Sequence, residues 1–221
     1  MTTVADQDET AKQPLGERLA DHVAKRADRL QRAYLKDKSD AVAELAILRR
    51  GVSQKPGDDA RLVGLTIAGL YPDPNGLPDD RPMPAELAAY AALTLFAVHQ
   101  QSHRDKKMHD PKYSFGRSAR LLGRRSGARD AVRARFTALA TATTWDETTQ
   151  HARGLIQQLR AHGIPLGYGQ FARDLLDLQR SGSADRVRLA WGRHFYREHH
   201  PEDDAEDATG AAEDEPAEAD S

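Results

Sequence analysis

Two histidines on one predicted helix are the residues best placed to do chemistry. His99 and His103 are spaced i,i+4, which is a spacing that can hold zinc, and His109 and Asp110 follow closely. The His-Glu-x-x-His motif of zinc hydrolases is absent, and a third ligand would have to come from the connector after the helix. We therefore interpret these histidines as structural residues and predict no metal.

The remaining catalytic patterns are weaker still. The acidic pairs Asp58-Asp59 and Asp79-Asp80 fall in predicted loops, where they suit helix caps and turns better than a rigid two-metal nuclease site. The sequence has no phosphate-binding GxxxxGK[ST] loop and no GxGxxG after a strand. It also has no cysteine, which excludes disulfides, thiolate metal sites and a cysteine nucleophile. We predict a protein that is not an enzyme and needs no cofactor.

The charge is strongly segregated along the 221 residues, although the formal net charge is only −2. Residues 201–221 contain ten acids and no base, whereas residues 15–200 contain 31 bases against 21 acids, a net charge of +10. A basic body beside an acidic tail is typical of proteins with a polyanionic partner, most often nucleic acid. Arginine outnumbers lysine by 24 to 8, which would also fit a coding bias, so composition alone leaves both interpretations open.

The densest cationic stretch, called here the basic segment, spans residues 104–135 and holds eleven bases against three acids, a net charge of +8. In its first predicted helix, Arg117, Arg120 and Arg124 fall opposite the apolar residues, whereas the arginines of the second flank an apolar stripe. We predict that this segment contacts phosphate, with some arginines packing their stems on the core. Its bases are Arg104, Lys106, Lys107, Lys112, Arg117, Arg120, Arg124, Arg125, Arg129, Arg133 and Arg135.

The first helix carries a second row of cations, called here the α1 strip. At 100° per residue its members share a narrow strip that contains no acid, opposite an apolar stripe. Exposed helices usually mix signs to gain i,i+4 pairs, so a strip of one sign indicates either a polyanionic partner or an arginine-rich solvated face. The strip consists of Arg18, Lys25, Arg29, Arg32 and Lys36.

Helical periodicity recurs along the chain and strand-like alternation is absent, so we predict an all-α fold. After a long helix that begins near Pro14, helices are predicted at about 40–50, 59–70, 84–102, 115–123, 128–142, 145–162, 168–180 and 184–199. On the last helix, Val187, Ala190, Trp191 and Phe195 are predicted to face inward.

We predict four segments along the chain. Short connections between the last four helices favour an antiparallel four-helix bundle. The segments are a disordered N-terminus (1–14), an irregular N-terminal helical domain (15–124), a C-terminal four-helix bundle (125–200) and a disordered acidic tail (201–221). No run of about 18 apolar residues and no secretory signal is present, so the expected location is the cytoplasm, with no membrane partner.

Several motifs, in order, give the chain a family resemblance. The runs are RRG at 49–51, LFAVH at 95–99, SFGR at 114–117, ARFTAL at 134–139, HARGLI at 151–156, IPLGYGQFARDLL at 164–176 and VRLAWGRHFY at 187–196. Together they resemble the CasB family, the small subunit of the type I-E CRISPR Cascade, over about residues 40–200. The acidic tail lies outside that family pattern, and Gly167 stands where we expect an acid.

The resemblance implies a non-enzymatic, two-domain helical subunit that works beside a second copy of itself. Its implied partners are the large and backbone subunits of Cascade, the guide RNA and the target DNA. Its implied role is to hold the R-loop, chiefly the displaced strand, through backbone contacts, because base pairing rather than protein reads the sequence. By motif, the resemblance extends the binding role to Arg49, Arg50, Arg117 and Arg135, and Lys55 follows in the next loop.

Two other functions remain open at this stage. A stand-alone helical DNA-binding regulator would need a recognition helix and a preferred site, and nothing in the sequence indicates base-specific readout. A pure protein scaffold would use the same arginines at interfaces with partner proteins.

Overall fold

The computed structural model describes residues 13–73, 75, 77, 78 and 80–197, and within them the chain forms nine helices and no strand. The predicted all-α class is therefore confirmed. The helices are α1 (Leu15–Leu35), α2 (Ser39–Gly51), α3 (Ala60–Thr66), α4 (Pro84–Gln100), α5 (Phe115–Arg125), α6 (Arg129–Thr141), α7 (Trp145–Ala161), α8 (Tyr168–Leu178) and α9 (Ala184–Tyr196).

The largest difference from the predicted boundaries is at α3. It begins after Asp59, whose side chain accepts a hydrogen bond from the backbone N–H of Arg61. It ends at Thr66 rather than near residue 70, because the chain turns there and Gly69 adopts a φ of +81°. The predictions of disorder for 1–14 and 201–221 fall, apart from residues 13 and 14, outside the described residues, as does the predicted end of the last helix at 199.

The central helix is α4, which is apolar on nearly every side and buried along almost its whole length. It packs against α1, α2, α7 and α8. The apolar stripe of α1 faces this core as predicted, from Leu19 through Val23 to Tyr34. The core therefore forms around α4, which has α1, α2, α3, α7 and α8 as its neighbours.

Helices from both sides of residue 124 share that core. α8 packs on α1 and α4, and a Cβ built on Gly169 would lie only 2.7 Å from the carbonyl oxygen of Ala20. α5 in turn packs on α6, α7 and α9. The division into domains at 124 stays a prediction, which independent folding of 125–200 would test.

The inner face of α9 differs from the predicted one at a single position. Ala190 is exposed, whereas Ala184, Val187, Trp191 and Phe195 are buried. The buried four follow i,i+3 and i,i+4 spacing, and Ala190 falls about 100° away from their common face. The prediction for Ala190 was therefore wrong, because a small side chain beside an apolar stripe carries little information about burial.

Candidate nucleic-acid interface

α5 is held in place by its inner face. Phe115 stacks on Phe171 and Trp191, with ring centroids 5.2 Å and 4.8 Å away. Gly116 lets α5 approach α9 closely, since a Cβ there would lie 2.3 Å from the carbonyl oxygen of Trp191. Ser114 caps the helix, and its Oγ accepts a hydrogen bond from the backbone N–H of Arg117. This packing directs the opposite, arginine-bearing side of α5 away from the core.

Most bases of the basic segment are exposed. Two of the three predicted outward arginines of α5, Arg117 and Arg120, are half-buried. The guanidinium carbon of Arg117 lies 4.7 Å from the ring centroid of Tyr113, and Arg120 donates to the carbonyl oxygen of Arg197. The exposed members are Arg104, Lys106, Lys107, Lys112, Arg124, Arg125, Arg129, Arg133 and Arg135.

The α6 members of the basic segment make contacts within their own helix. Arg133 forms an ion pair of 3.1 Å with Asp130, and both side chains are exposed. Arg135 donates to the carbonyl oxygen of Ala131 at 3.4 Å. Exposed pairs of this kind contribute little to stability and exchange readily for another anion.

Arg104 and Lys106 lie away from α5. Arg104 pairs with Asp37 at the end of α1, and its guanidinium carbon lies 5.2 Å from the ring centroid of Tyr34. Lys106 lies near the turn between α7 and α8, with its Cδ 3.8 Å from the place of a Cβ on Gly163. The structure thus distributes the start of the basic segment over the ends of other helices.

The arginine pair of α2 occupies a different part of the fold. α2 packs on α1, α3 and α4, and none of these is a main neighbour of α5. Arg49 is half-buried and Arg50 is exposed, and both lie in the last turn of α2, where the helix dipole stabilises cations. The exposed Lys55 lines a cavity of about 550 Å³ together with Trp145 and Arg153. Sequence reasoning missed that Arg153 and Lys55 line the same cavity because 98 positions separate the two residues.

The α1 strip is interrupted by a carboxylate from another helix. Arg29 forms a 2.6 Å ion pair with Glu44 of α2. Arg32 donates to the backbone carbonyl of Asp28 one turn earlier. The acid-free strip that the helical wheel predicts is therefore partly neutralised once α2 packs beside α1.

The histidines considered as metal ligands have protein partners. His99 is fully buried with its Nδ1 3.0 Å from the Tyr168 hydroxyl, and burial lowers its pKa to about 3. The Nε2 of His103 lies 2.8 Å from the carbonyl oxygen of Arg160. Within the described part of the chain, no group of three or more potential ligands could hold a metal ion.

His109 explains why α8 begins without an acidic cap. The backbone N–H of Tyr168 donates to His109 Nδ1 at 3.1 Å, which supplies an acceptor at the start of the helix. Gly167 also donates to the carbonyl oxygen of Tyr113 at 2.7 Å, and a Cβ there would lie 3.1 Å from the same oxygen. The acid expected at 167 would crowd this contact.

The described residues define an all-α protein in which α5 and α6 carry five exposed arginines, at 124, 125, 129, 133 and 135. Among those residues, no helix combines the length and the apolarity that crossing a bilayer requires. The sequence pattern of CRISPR-associated protein Cse2 matches residues 44–196. The chain therefore belongs to the Cse2 family, also called CasB, and is a CRISPR Cascade subunit.

Two solved structures are similar to this chain. CasB from Thermobifida fusca is 35% identical with a TM-score of 0.69, and the match covers 81% of this chain and 98% of that one. CasB from M. ruber has the same fold at 21% identity and a TM-score of 0.56, covering 83% of this chain and 97% of that one. A comparison with curated protein sequences returned no match.

Proposed function

We propose that this chain is the non-catalytic small subunit of a type I-E Cascade in the cytoplasm, and that its basic segment binds nucleic-acid backbone without reading sequence. The observation that carries the proposal is the net charge of +8 over residues 104–135, with nine of the eleven bases exposed. Phosphates release counterions when cations neutralise them, which makes such a surface a general binder of polyanions. The bound strand is the displaced strand of the R-loop.

The energetics of the R-loop make such modest contacts sufficient. Exchange of a DNA duplex for an RNA–DNA duplex is nearly balanced, so phosphate contacts on the displaced strand shift it toward the open state. The partners in this proposal are the guide RNA, the target DNA, the large and backbone subunits, and a second copy of the chain. Arg124, Arg125 and Arg129 are exposed where α5 passes into α6 and form the centre of the proposed surface.

The test compares two charge reversals of equal size. One variant changes Arg124, Arg125 and Arg129 to Glu, and the matched control changes the exposed Lys25, Arg32 and Lys36 of the α1 strip to Glu. We expect the first to weaken binding of a 40-nucleotide single strand about 100-fold and the control less than about 5-fold. Affinity is measured by fluorescence anisotropy at low salt, with thermal unfolding to verify folding.

Each outcome has a defined meaning. Equal losses of single-strand affinity in the two variants would contradict a localised interface and would show that binding follows net charge alone. Unchanged affinity together with failed assembly into the complex would favour the protein scaffold. Selection of a defined palindrome from random DNA would favour the sequence-specific regulator.

A further inference from the structure

The acidic tail, residues 201–221, is complementary in charge to the basic segment of the same chain. It carries ten carboxylates and no base, whereas the basic segment has a net charge of +8. The family match ends at residue 196, so the tail lies beyond the part of the chain that the family shares. A polyanion and a surface proposed to bind polyanions are thus joined covalently.

The chain leaves α9 beside α5. The last described residue is Arg197, and its carbonyl oxygen accepts a 3.4 Å hydrogen bond from Arg120 Nη1. One turn earlier, His194 Nδ1 lies 2.8 Å from Oγ of Ser114, the residue that caps α5. The segment that follows α9 therefore starts against the arginine-bearing helix and not on the far side of the core.

We propose that residues 201–221 bind the basic segment of their own chain and compete there with nucleic acid. This inference rests on the proposed function, because the competitor is the strand assigned to that surface. A 21-residue segment can extend to roughly 70 Å, whereas an 11-residue helix such as α5 is only about 16 Å long. The tail is therefore long enough to lie along the whole of α5.

Tethering makes the competition effective. A segment attached by a short linker acts at an effective concentration on the order of millimolar, so even weak ionic contacts occupy the surface for much of the time. Short or weakly bound RNA is then excluded, whereas a long strand held by the rest of the complex displaces the tail. The tail thus limits non-specific binding by the free subunit.

The first experiment varies the tail in the full-length chain. All ten tail acids are changed to the corresponding amides, and the matched control keeps the ten acids in scrambled order. We expect the amide variant to bind a 20-nucleotide single strand about 10-fold more tightly at about 50 mM salt, with the difference closing as salt rises. The scrambled tail should behave like the natural one. Equal affinities of the amide variant and the natural chain would overturn the proposal.

The second experiment locates the tail without nucleic acid. Carbodiimide joins carboxylates to nearby lysine amines, and mass spectrometry identifies the linked peptides. We expect the tail to link mainly to Lys106, Lys107 and Lys112, at a yield that does not change on dilution. The triple change of Arg124, Arg125 and Arg129 to Glu should reduce those links severalfold.

Links found mainly at Lys25 and Lys55, or evenly at all lysines, would overturn the inference. The two proposals fail in different ways. If neither the natural chain nor the amide variant binds a single strand, the proposed function fails, while the cross-links still report whether the tail is docked. If the amide variant binds no better and the links lie elsewhere, only the inference about the tail fails.

Discussion

The α1 strip and the basic segment have the same residue types, and they differ in what the fold places beside them. On α1, Arg29 meets Glu44 of α2 at 2.6 Å, so a neighbouring helix supplies the missing acid. Between residues 104 and 135, eleven bases face three acids of their own segment and, at Arg104, Asp37 from the end of α1. All seven arginines of α5 and α6 lie within 19 positions, from 117 to 135. A row of cations on one helix is thus a poor indicator of a binding surface until its neighbours are known.

This difference between the two regions matters because like charges close together on a surface raise its electrostatic free energy. Cations on a shared surface repel one another, and ion pairing relieves that repulsion locally. A segment whose residues sum to a net charge of +8 gains most from an external polyanion. The α1 strip, already paired in its middle, gains less.

Salt should separate the two regions most clearly. If about four phosphates are neutralised, single-strand affinity should fall about 500-fold between about 50 and 500 mM salt. Changing Arg124, Arg125 and Arg129 to Glu should lower the slope of log affinity against log salt by about two, whereas the matched changes on α1 should leave it nearly as it was. Anisotropy titrations at several salt concentrations measure both slopes, and a salt-independent affinity would exclude phosphate binding by either region.

Lowering the pH should weaken the core without discharging either row of arginines. Burial lowers the pKa of His99 to about 3 and that of His22 to about 4, against about 6.5 when unfolded. Below pH 6.5 the unfolded chain binds protons that the native state does not, so the free energy of unfolding falls as the pH falls. Asp174 opposes this, because burial raises its pKa to about 6 and the native state then retains a proton.

From His99, His22 and Asp174 together the expectation is a loss of about 2–3 kcal/mol between pH 7 and pH 5, since each pKa unit corresponds to about 1.4 kcal/mol. Burial also lowers the pKa of His109, which acts in the same direction. Denaturant titrations at the two pH values measure it. Single-strand affinity of the folded protein should change little over the same range, because arginines stay charged. A constant free energy of unfolding would show that these histidines are not held neutral in the core.

Substitution of Gly116 by Ala tests whether the close approach of α5 to α9 displays the basic segment. The new Cβ would lie 2.3 Å from the carbonyl oxygen of Trp191, so we expect the free energy of unfolding to fall by about 1–2 kcal/mol. We also expect a weaker affinity for a nucleic-acid single strand, because α5 would shift. Gly154 is the matched control, because a Cβ there meets nothing within 4 Å and alanine favours the helix. Equal stability of the two variants, measured by denaturant unfolding, would contradict this packing.

The smallest effect is expected at the ion pair of the α1 strip. Changing Glu44 to Gln removes the partner of Arg29, whose side chain is 53% exposed, so the free energy of unfolding should change by less than about 1 kcal/mol. Single-strand affinity should rise less than about twofold. A rise of tenfold or more in the same anisotropy assay would mean that pairing alone, and not position, keeps the α1 strip from binding.

The prediction of the helices succeeded where periodicity was long and unambiguous. The apolar stripe of α1 from Leu19 to Tyr34 could only face the core, and the apolar helix α4 could only be buried, as both are. Prediction was weaker at α3, whose end depends on a turn at Gly69, and at Ala190, whose methyl group fits either environment. For the candidate site, exposure on α5 and α6 was largely predictable, but the half-burial of Arg117 and Arg120 depends on Tyr113 and on the end of α9.

The sequence by itself determined the all-α class, the core faces and the segregation of charge, because each follows from local periodicity or from counting. Only the tertiary structure decided which cations are neutralised, since Glu44 reaches Arg29 from another helix and Asp37 reaches Arg104 across 67 positions. It also decided that His109 caps α8 and that Arg153 and Lys55 line the same cavity. The physical reason is that Coulomb and hydrogen-bond energies depend on distances in space, and periodicity within one helix says nothing about the side chains of the next.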